Sequence, residues 1–576
     1  MNSHTTNYRK WLESDLLSAK EKEELSLISE DEAEIKSRFS SFLTFGTGGL
    51  RGIMKTGMNA MNVYTVAHAT QALAELVLSE KSADRGVVIA HDSRNNSRIF
   101  AETAASVLAA NKVKTYLFDA LRPTPELSFA VRELGCIAGI NVTASHNPKA
   151  YNGYKAYWED GAQLSPEQAD VVSAKMQVLD VFADVKRLPE GELYSNSYVT
   201  VLGEDFDEAY LDAVLAQSVD PSVIRESEDL KVVYTPLHGA GTRLVPETLR
   251  RAGLKNLYIV PEQEAPDGDF PTTPKPNPEY PQVFELAEAI ANRVGSDLLL
   301  ATDPDADRVG VMVRTHSGEF ATITGNQMGM LLLDYIITAY ERTGGLPEHP
   351  YAVKSIVSTE LATKICEAHG VQLYNVLTGF KFIGEVIKNY EAKGYGSYLL
   401  GFEESYGYLK GTYARDKDAV STSLLICEMA ASYKRMGMTL VDALAKLYER
   451  YGYAFEKTDE LQLEGHGAAE LVNKLMTALR TTPPTAFAGS PVVSIGDYAK
   501  EIFTDVRSGE TTPTGLPKSN VLYFKTEAGD VVVVRPSGTE PKIKFYYLLS
   551  GKDRTACEEK LLAATAVIKS YTDSLA

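Results

Sequence analysis

The sequence predicts an α/β protein: three related α/β domains plus a smaller α+β C-terminal domain, with strand ends that meet at a central cleft. Three observations carry the prediction. Strands and helices alternate between Gly86 and Gly407 in units of the same order, the pattern of α/β layering. The last strand of each unit ends in an unusual polar loop, and ligands of open α/β sheets bind outside the carboxyl ends of strands. Beyond Arg450 the alternation gives way to strand, polar loop and strand. A chain of 576 residues is also too long for one hydrophobic core.

The N-terminal stretch "MNSHTTNYRKWLESDLLSAKEKEEL" is polar and helical in pattern and lacks the apolar segment of a secretory leader. The first unit then sets "GVVIAHDSR" (Gly86–Arg94), a helix, "VKTYLFDA" (Val113–Ala120), a Pro-rich loop and helix, and "CIAGINVTASHNP" (Cys136–Pro148). The second sets "KVVYTPLHGAGT" (Lys231–Thr242), "LKNLYIVPE" (Leu254–Glu262) and "SDLLLATDPDADR" (Ser296–Arg308) in the same order. The third sets "YAVKSIVST" (Tyr351–Thr359), "VQLYNVLT" (Val371–Thr378) and "GSYLLGFEESYG" (Gly396–Gly407). Strand order repeats although residue identity does not. The expected domains are residues 1–200, 201–320, 321–452 and 453–576. The last holds the strands "VVVVR" (Val531–Arg535) and "KIKFYYLLS" (Lys542–Ser550) and two Pro/Gly-rich loops, Thr481–Pro491 and Ser508–Ser519.

Hydrophobic residues make up 44% of the chain and charged residues 23%, an ordinary globular balance. A net charge of −19 and a pI near 5.1 argue against general nucleic-acid binding, which needs a basic surface. A local basic pocket in an acidic protein still accepts an anionic substrate. Cys136, Cys366, Cys427 and Cys557 form no CxxC pair, which fits a reducing compartment better than a disulfide framework or a zinc site. No apolar run reaches about 18 residues, so no membrane span is expected and the expected location is cytoplasmic.

The polar loops carry the chemistry. In "DPDADR", Asp303, Asp305 and Asp307 follow an apolar strand. Three carboxylates so close repel unless a cation joins them, and a hard divalent ion with oxygen ligands, Mg²⁺ foremost, suits them; the alternative is a solvated acidic turn. A calcium EF-hand loop is excluded because Arg308 stands where its glycine belongs and Arg314 where its glutamate belongs. Ser145 in "TASHNP" reads as a turn or cap serine or as a phosphoryl acceptor. A Ser/His hydrolase lacks support, since no G-x-S-x-G elbow is present. The acceptor reading explains why a serine loop and an aspartate loop end equivalent strands: one phosphate oxygen completes the coordination of a cation held by the aspartates. "RPSGTEPKIK" (Arg535–Lys544) reads as an anion cradle or a polar hairpin loop; Ser537, Thr539 and the Arg535 fork supply donors. "GFEESYG" offers Glu403, Glu404 and Ser405 to a polyol, or is an exposed acidic turn. "TFGTGGLRG" (Thr44–Gly52) wraps an anion with Arg51 or is a flexible turn, and "ARDKD" (Ala414–Asp418) reads as a solvated charged face.

Taken together and in this order, one per domain, the serine, metal, sugar and phosphate loops resemble those of the α-D-phosphohexomutase superfamily over nearly the whole chain. The resemblance implies an isomerase that interconverts glucose 1-phosphate and glucose 6-phosphate through a phosphoserine and a glucose 1,6-bisphosphate intermediate. It implies phosphorylation at Ser145 and Mg²⁺ held by Asp303, Asp305, Asp307 and a phosphoserine oxygen. Arg51, His146, Lys155 and Arg308 match basic positions near the transferring group. Glu403 and Ser405 match sugar-hydroxyl ligands, and Arg535, Ser537, Gly538 and Thr539 match ligands of the non-reacting phosphate. "TGFK", with Thr378, Gly379 and Lys381, is similar to the loop that distinguishes the two ends of the sugar, and Lys417 matches a lysine of the glucose-specific branch. Members acting on both mannose and glucose phosphates carry Gly-Glu-Met-Ser and a nearby histidine; "EESYG" is closer to the glucose branch and is similar to the pentose branch as well. Pentose or mannose phosphates are thus the alternative substrates, and a Mg²⁺-dependent sugar phosphatase or a non-catalytic sugar-phosphate binding protein the alternative functions. A phosphosugar is the expected partner, with no nucleic acid or membrane, and the expected state is a monomer or weak homo-oligomer.

Overall fold

Apolar runs bounded by turn residues become the buried central strands. The computed structural model describes residues 3–44, 49–462, 468–537 and 542–574. Three helices, α1 (Ser3–Glu13), α2 (Ala19–Leu27) and α3 (Glu32–Phe39), precede β1 (Leu50–Ile53) and α4 (Val63–Ser79). Next come β2 (Val87–His91), α5 (Ser97–Ala110), β3 (Thr115–Phe118), α6 (Thr124–Glu133), β4 (Ala138–Val142), β5 (Tyr151–Trp158), α7 (Pro166–Val178) and β6 (Val199–Leu202). Every residue of β2 and β4 is buried, as expected of parallel strands covered on both faces. The sheet order is β1-β5-β4-β2-β3-β6; β2 pairs parallel with β3 and β4, and β5 returns antiparallel to β4.

The second repeat follows α8 (Glu204–Leu215) and α9 (Ser222–Glu226). It comprises β7 (Lys231–Thr235), α10 (Gly241–Arg251), β8 (Asn256–Ile259), α11 (Pro261–Glu264), α12 (Glu285–Val294), β9 (Leu298–Thr302), β10 (Val309–Arg314) and β11 (Phe320–Ile323), in the order β11-β10-β9-β7-β8. Again the first strand lies between the second and third, and an antiparallel strand returns from the third. The third repeat comprises α13 (Gly325–Thr343), β12 (Pro350–Ser355), α14 (Leu361–His369), β13 (Gln372–Val376), α15 (Phe380–Lys393) and β14 (Ser397–Glu403), followed by β15 (Gly407–Leu409), α16 (Ala419–Arg435) and α17 (Leu440–Tyr451). Its strands run β13-β12-β14. The strand-order repeat expected from the sequence is therefore present in all three sheets.

The C-terminal part comprises β16 (Tyr453–Gln462), α18 (Ala468–Thr481), β17 (Ala486–Phe487), β18 (Ser490–Asp497), β19 (Ile502–Asp505), β20 (Thr511–Pro513), β21 (Leu522–Thr526), β22 (Val531–Pro536), β23 (Lys542–Gly551) and α19 (Arg554–Asp573). The two Pro/Gly-rich stretches read as loops contain the short strands β17 and β20. Backbone pairing with β18 and β19 overrides their weak strand propensity.

By internal contacts the chain forms two units. One takes Met1–Thr324, Gly384–Tyr398 and Ser405–Thr439; the other takes Gly325–Ile383, Leu399–Glu404 and Leu440–Ala576. Among the described residues no helix is long and apolar enough to cross a membrane.

Candidate active site

In the first unit, the turns that follow β4 and β9 face one another. Both reverse direction through a left-handed residue that is not glycine, Ser145 (φ 49°) and Ala306 (φ 50°), conformations that neighbouring contacts must hold in place. Ser145 Oγ donates to Asp303 Oδ2 at 2.6 Å. Ser145, Asp303, Asp305 and Asp307 are all buried, so the sequence-derived serine and metal loops meet directly.

The aspartate turn is wound around one of its own carboxylates. Asp303 Oδ1 accepts the backbone N–H groups of Asp307 and Arg308, both at 3.1 Å. Asp305 Oδ2 accepts Lys155 Nζ at 2.8 Å and Thr124 Oγ1 at 2.7 Å. Asp307 Oδ2 lies 3.3 Å from Lys155 Nζ and 3.1 Å from Lys417 Nζ. Burial and the repulsion of Asp305 and Asp307 push the Asp303 carboxyl well up. Burial acts the same way on Asp305 and Asp307, but Lys155 outweighs it at the first and Lys417 with Lys155 at the second, so both are held down. Asp305 Oδ1 and Asp307 Oδ1 are buried without a hydrogen-bond partner among the described residues. Ligand atoms of all three aspartates lie within 4.8 Å of one another. An all-oxygen donor set with orphaned oxygens fits a hard divalent cation.

The serine turn is held by a residue that the sequence reading passed over. Arg94, buried after β2, donates to the carbonyls of Pro148 (3.0 Å), Tyr151 (3.1 Å), Ser145 and Asn147. Asp92 pairs with Arg94 at 3.3 Å and accepts Thr143 Oγ1 at 2.6 Å, and Thr143 Oγ1 in turn accepts the Ser145 N–H. The signal was present: "HDSR" is itself a polar loop after a buried strand. Thr124, at the start of α6, was also missed. It donates its N–H to the Asp305 carbonyl and accepts Asn141 Nδ2 from β4 at 2.6 Å, so it ties the two turns together.

Of the remaining basic candidates in this unit, His146 Nδ1 lies 3.2 Å from Ser145 Oγ. Burial, then the charges of Arg308 and Arg51, push its imidazole well below the ordinary range, leaving it neutral. Arg308 Nη1 pairs with Glu279 at 2.6 Å. Ser405 is half-buried, directly before Tyr406, which turns with φ 65° and accepts the Val309 N–H. The reading of Ala414–Asp418 as a solvated charged face is corrected. Arg415, Asp416, Lys417 and Asp418 are all buried: Asp416 holds Lys417 Nζ at 2.8 Å, and Asp418 caps α16. Burial is possible because each charge meets a partner. At Gly407 a Cβ would lie 2.1 Å from Lys417 Cδ, so only glycine leaves Lys417 its channel.

In the second unit, Glu403 Oε1 accepts the N–H of Gly379 at 2.7 Å, which joins the "TGFK" loop to the end of β14. Gly379 has φ +118° and Thr378 beside it is half-buried; Lys381 lies over the Phe382 ring at 5.4 Å. Glu404 accepts Ser355 Oγ at 3.1 Å, and burial with the Glu403 charge raises its carboxyl to about 7. Arg535 is in register with Lys544 across β22 and β23, and the Ser537 N–H donates to the Lys542 carbonyl at 2.8 Å. Gly538 and Thr539 lie outside the described residues.

Repeated α/β domains that set a buried serine against three buried carboxylates define a phosphoryl-handling α/β enzyme. The chain matches the description phosphoglucomutase/phosphomannomutase, alpha/beta/alpha domain I, over residues 43–180, domain II over 208–318 and domain III over 324–451. It is 37% identical to a phosphoglucomutase of Staphylococcus aureus strain USA300 over 90% of this chain and 92% of that protein. It is 35% identical to a phosphoglucomutase of Staphylococcus saprophyticus over 90% and 93%. The solved structure of the exocytosis-sensitive phosphoprotein pp63/parafusin from Paramecium shares the fold, with a TM-score of 0.68 at 18% identity over 92% of this chain and 94% of that one. The chain therefore belongs to the phosphoglucomutase/phosphomannomutase family and is an isomerase of the phosphosugar mutase type.

Proposed function

We propose that the protein interconverts α-D-glucose 1-phosphate and glucose 6-phosphate through a phosphoserine at Ser145 and glucose 1,6-bisphosphate. The contact of Ser145 Oγ with Asp303 Oδ2, at 2.6 Å inside a seat of three buried carboxylates, carries the reading. The phosphoglucomutases at 37% and 35% identity support glucose as the sugar.

In the forward half-reaction the bond between phosphorus and the Ser145 oxygen breaks and a bond from phosphorus to O6 forms. The O6 proton ends on Ser145 Oγ. His146 is the group suited to carry it, being neutral and within reach, whereas Lys155 is held charged between Asp305 and Asp307. After the bisphosphate turns over, the O1 phosphoryl group returns to Ser145 and glucose 6-phosphate leaves. Asp303, Asp305, Asp307 and a phosphoserine oxygen would hold Mg²⁺, which when bound offsets charge on the transferring oxygens. Arg51 and Arg308 serve the same charge, Glu403, Ser405, Lys417 and the Thr378–Lys381 loop orient the sugar, and Arg535, Ser537, Gly538 and Thr539 hold the resting phosphate. Residues 1–200, 201–320, 321–452 and 453–576 are the corresponding domains of a cytoplasmic monomer or weak homo-oligomer.

The test is coupled detection of glucose 6-phosphate from glucose 1-phosphate with Mg²⁺ and a trace of glucose 1,6-bisphosphate. Mannose 1-phosphate and ribose 1-phosphate run beside it, each with its own product assay. Preference for glucose is expected. Preference for ribose or mannose keeps the phosphoserine and replaces the sugar; release of inorganic phosphate makes the protein a phosphatase; no turnover makes it a binding protein.

A further inference from the structure

The helices α1 to α3 lie before residue 43, where the family match begins, and nothing in the site described above draws on them. They build their own small core: Tyr8, Trp11, Leu17, Leu25, Ile35 and Phe39 pack with Met58 and Tyr64. Trp11, 1% exposed, sits edge-on to Phe39, Tyr64 and Phe182. This core is docked against the segment that follows Arg51.

Arg51 is carried on β1, a four-residue strand at the edge of the first sheet, paired among the described residues with β5 alone, Arg51 opposite Gly153. Gly153 in turn accepts the Thr143 N–H at 3.1 Å, two residues before Ser145, which sets Arg51 one strand from the serine turn, and the Arg51 charge helps hold His146 and Arg94 down. One short ladder leaves such a strand weakly specified, and its far end is fixed from outside the sheet. Glu24 of α2 accepts Thr56 Oγ1 at 2.7 Å and the Thr56 N–H at 3.3 Å. Arg38 of α3 donates to the Thr56 carbonyl at 3.3 Å while paired with Glu24 and, at 2.9 Å, with Glu34. The Asn59 N–H donates to the Arg38 carbonyl at 2.9 Å, and the Leu43 N–H to the Met58 carbonyl at 3.3 Å. Gly57 has φ +147°, and a Cβ there would lie 3.0 Å from Arg38 Cβ, so the turn is pressed onto the arginine stem. Thr56 thus has its hydroxyl, N–H and carbonyl all bound by the N-terminal helices, and the Met61 N–H then returns to the Ile53 carbonyl at the end of β1.

We propose that Arg38 and Glu24 are positioning residues for phosphoryl transfer: they lock the 54–58 turn and so set the place of Arg51 beside the serine turn. The inference rests on the reading of Arg51 as a ligand of the transferring phosphoryl group. It gives the N-terminal helices a part in the rate as well as in folding.

The test is a double-mutant cycle in the full-length protein, read as kcat/KM on glucose 1-phosphate with Mg²⁺ and glucose 1,6-bisphosphate. Arg38→Met in the parent is expected to lower kcat/KM about ten-fold or more, since small misplacement of a phosphoryl-contacting group is costly. In an Arg51→Ala background the same change is expected to cost less than about two-fold, because its route is already gone. Equal losses in both backgrounds would show a general structural role and overturn the proposal, as would no loss in the parent. An Arg51→Ala enzyme as fast as the parent would overturn the reading of Arg51 itself, a distinct failure seen without touching Arg38. Should Arg38→Met fail to fold by circular dichroism, Thr56→Val replaces it, removing the Oγ1 bond to Glu24 in a side chain of the same shape. The cycle is then read the same way, with an expected parent loss of about three-fold.

Discussion

The turns after β4 and β9 occupy equivalent places in two copies of one fold, and both are held by cations, yet the turns differ in charge and the cations grip different atoms. The serine turn is neutral and is gripped from below by a cation, Arg94, whose fork takes backbone carbonyls. The aspartate turn is anionic, and its cations, Lys155 and Lys417, sit on side-chain oxygens. In the first the arginine is spent on geometry, leaving the Ser145 hydroxyl to its single carboxylate partner. In the second the lysines offset part of the charge of three carboxylates whose oxygens suit a metal ion. The loop after the first strand supports the loop after the third in both copies: Arg94 does so in one, and the Ala240 N–H, donated to the Pro304 carbonyl, in the other. The scaffold contact is therefore common to both copies, while each turn carries its own residues.

If the serine turn holds the nucleophile, Ser145→Ala breaks the pair outright. Turnover is expected to fall by at least about 10³-fold, with loss of the phosphopeptide containing residue 145 in mass spectrometry of the protein incubated with glucose 1,6-bisphosphate. Near-parental activity would remove the serine from the reaction. On the facing turn, Asp305→Asn keeps shape and removes one charge. It is expected to cost about 10²–10³-fold in kcat/KM and to raise the Mg²⁺ concentration for half-maximal activity by about ten-fold or more. An unchanged metal dependence would mean that the carboxylates serve the lysines and not an ion.

Both turns were legible because polar residues that directly follow "AGINV" and "LLLAT" interrupt strands otherwise buried throughout. The strand order was legible for the same reason, since each apolar run marks one central strand. What holds the turns was not. Arg94 meets the Ser145 carbonyl across 51 residues of chain, and Thr124 meets Asp305 across 181; no local period encodes such partners. The charge run at Ala414–Asp418 misled because its burial depends on Asp307, Tyr157 and Glu391, each distant in sequence. The Glu24–Thr56 contact was hidden likewise, being a pairing between a polar helix and a turn 32 residues away.

The cation beneath the serine turn gives a sharper test. Arg94→Lys keeps the charge but cannot span four carbonyls, because an ammonium lacks the planar fork. We expect kcat/KM to fall about 10–100-fold and stability by about 2–4 kcal/mol, as buried acceptors lose their donor beside Asp92, measured by initial rates and chemical denaturation. A lysine enzyme with parental rate would mean that charge alone, not the fork, organises the turn.

The smallest expected effect concerns α6, the helix whose first residue, Thr124, bridges the two turns. Glu126, in its first turn, is fully buried, and among the described residues neither carboxylate oxygen has a hydrogen-bond partner. Arg122 Nε stands 3.8 Å away, beyond hydrogen-bond reach. Burial, only partly countered by Arg122, raises the Glu126 carboxyl to about 8 from 4.5. A helix N-terminus would favour the charged form, but desolvation wins here. The folded state therefore keeps a proton that the unfolded chain releases above about pH 4.5, so stability present below that pH is lost progressively from there until the folded carboxyl also ionises at about 8. Glu126→Gln cannot titrate. Its stability relative to the parent should thus rise from about pH 5 to about pH 8 and level off above, by a few kcal/mol at most at about 1.4 kcal/mol per pH unit. Thermal midpoints of both proteins across that range decide the matter. A difference that stays flat would mean that Glu126 is ionised against Arg122, and that the bridge between the turns rests on an ion pair in place of a neutral, buried acid.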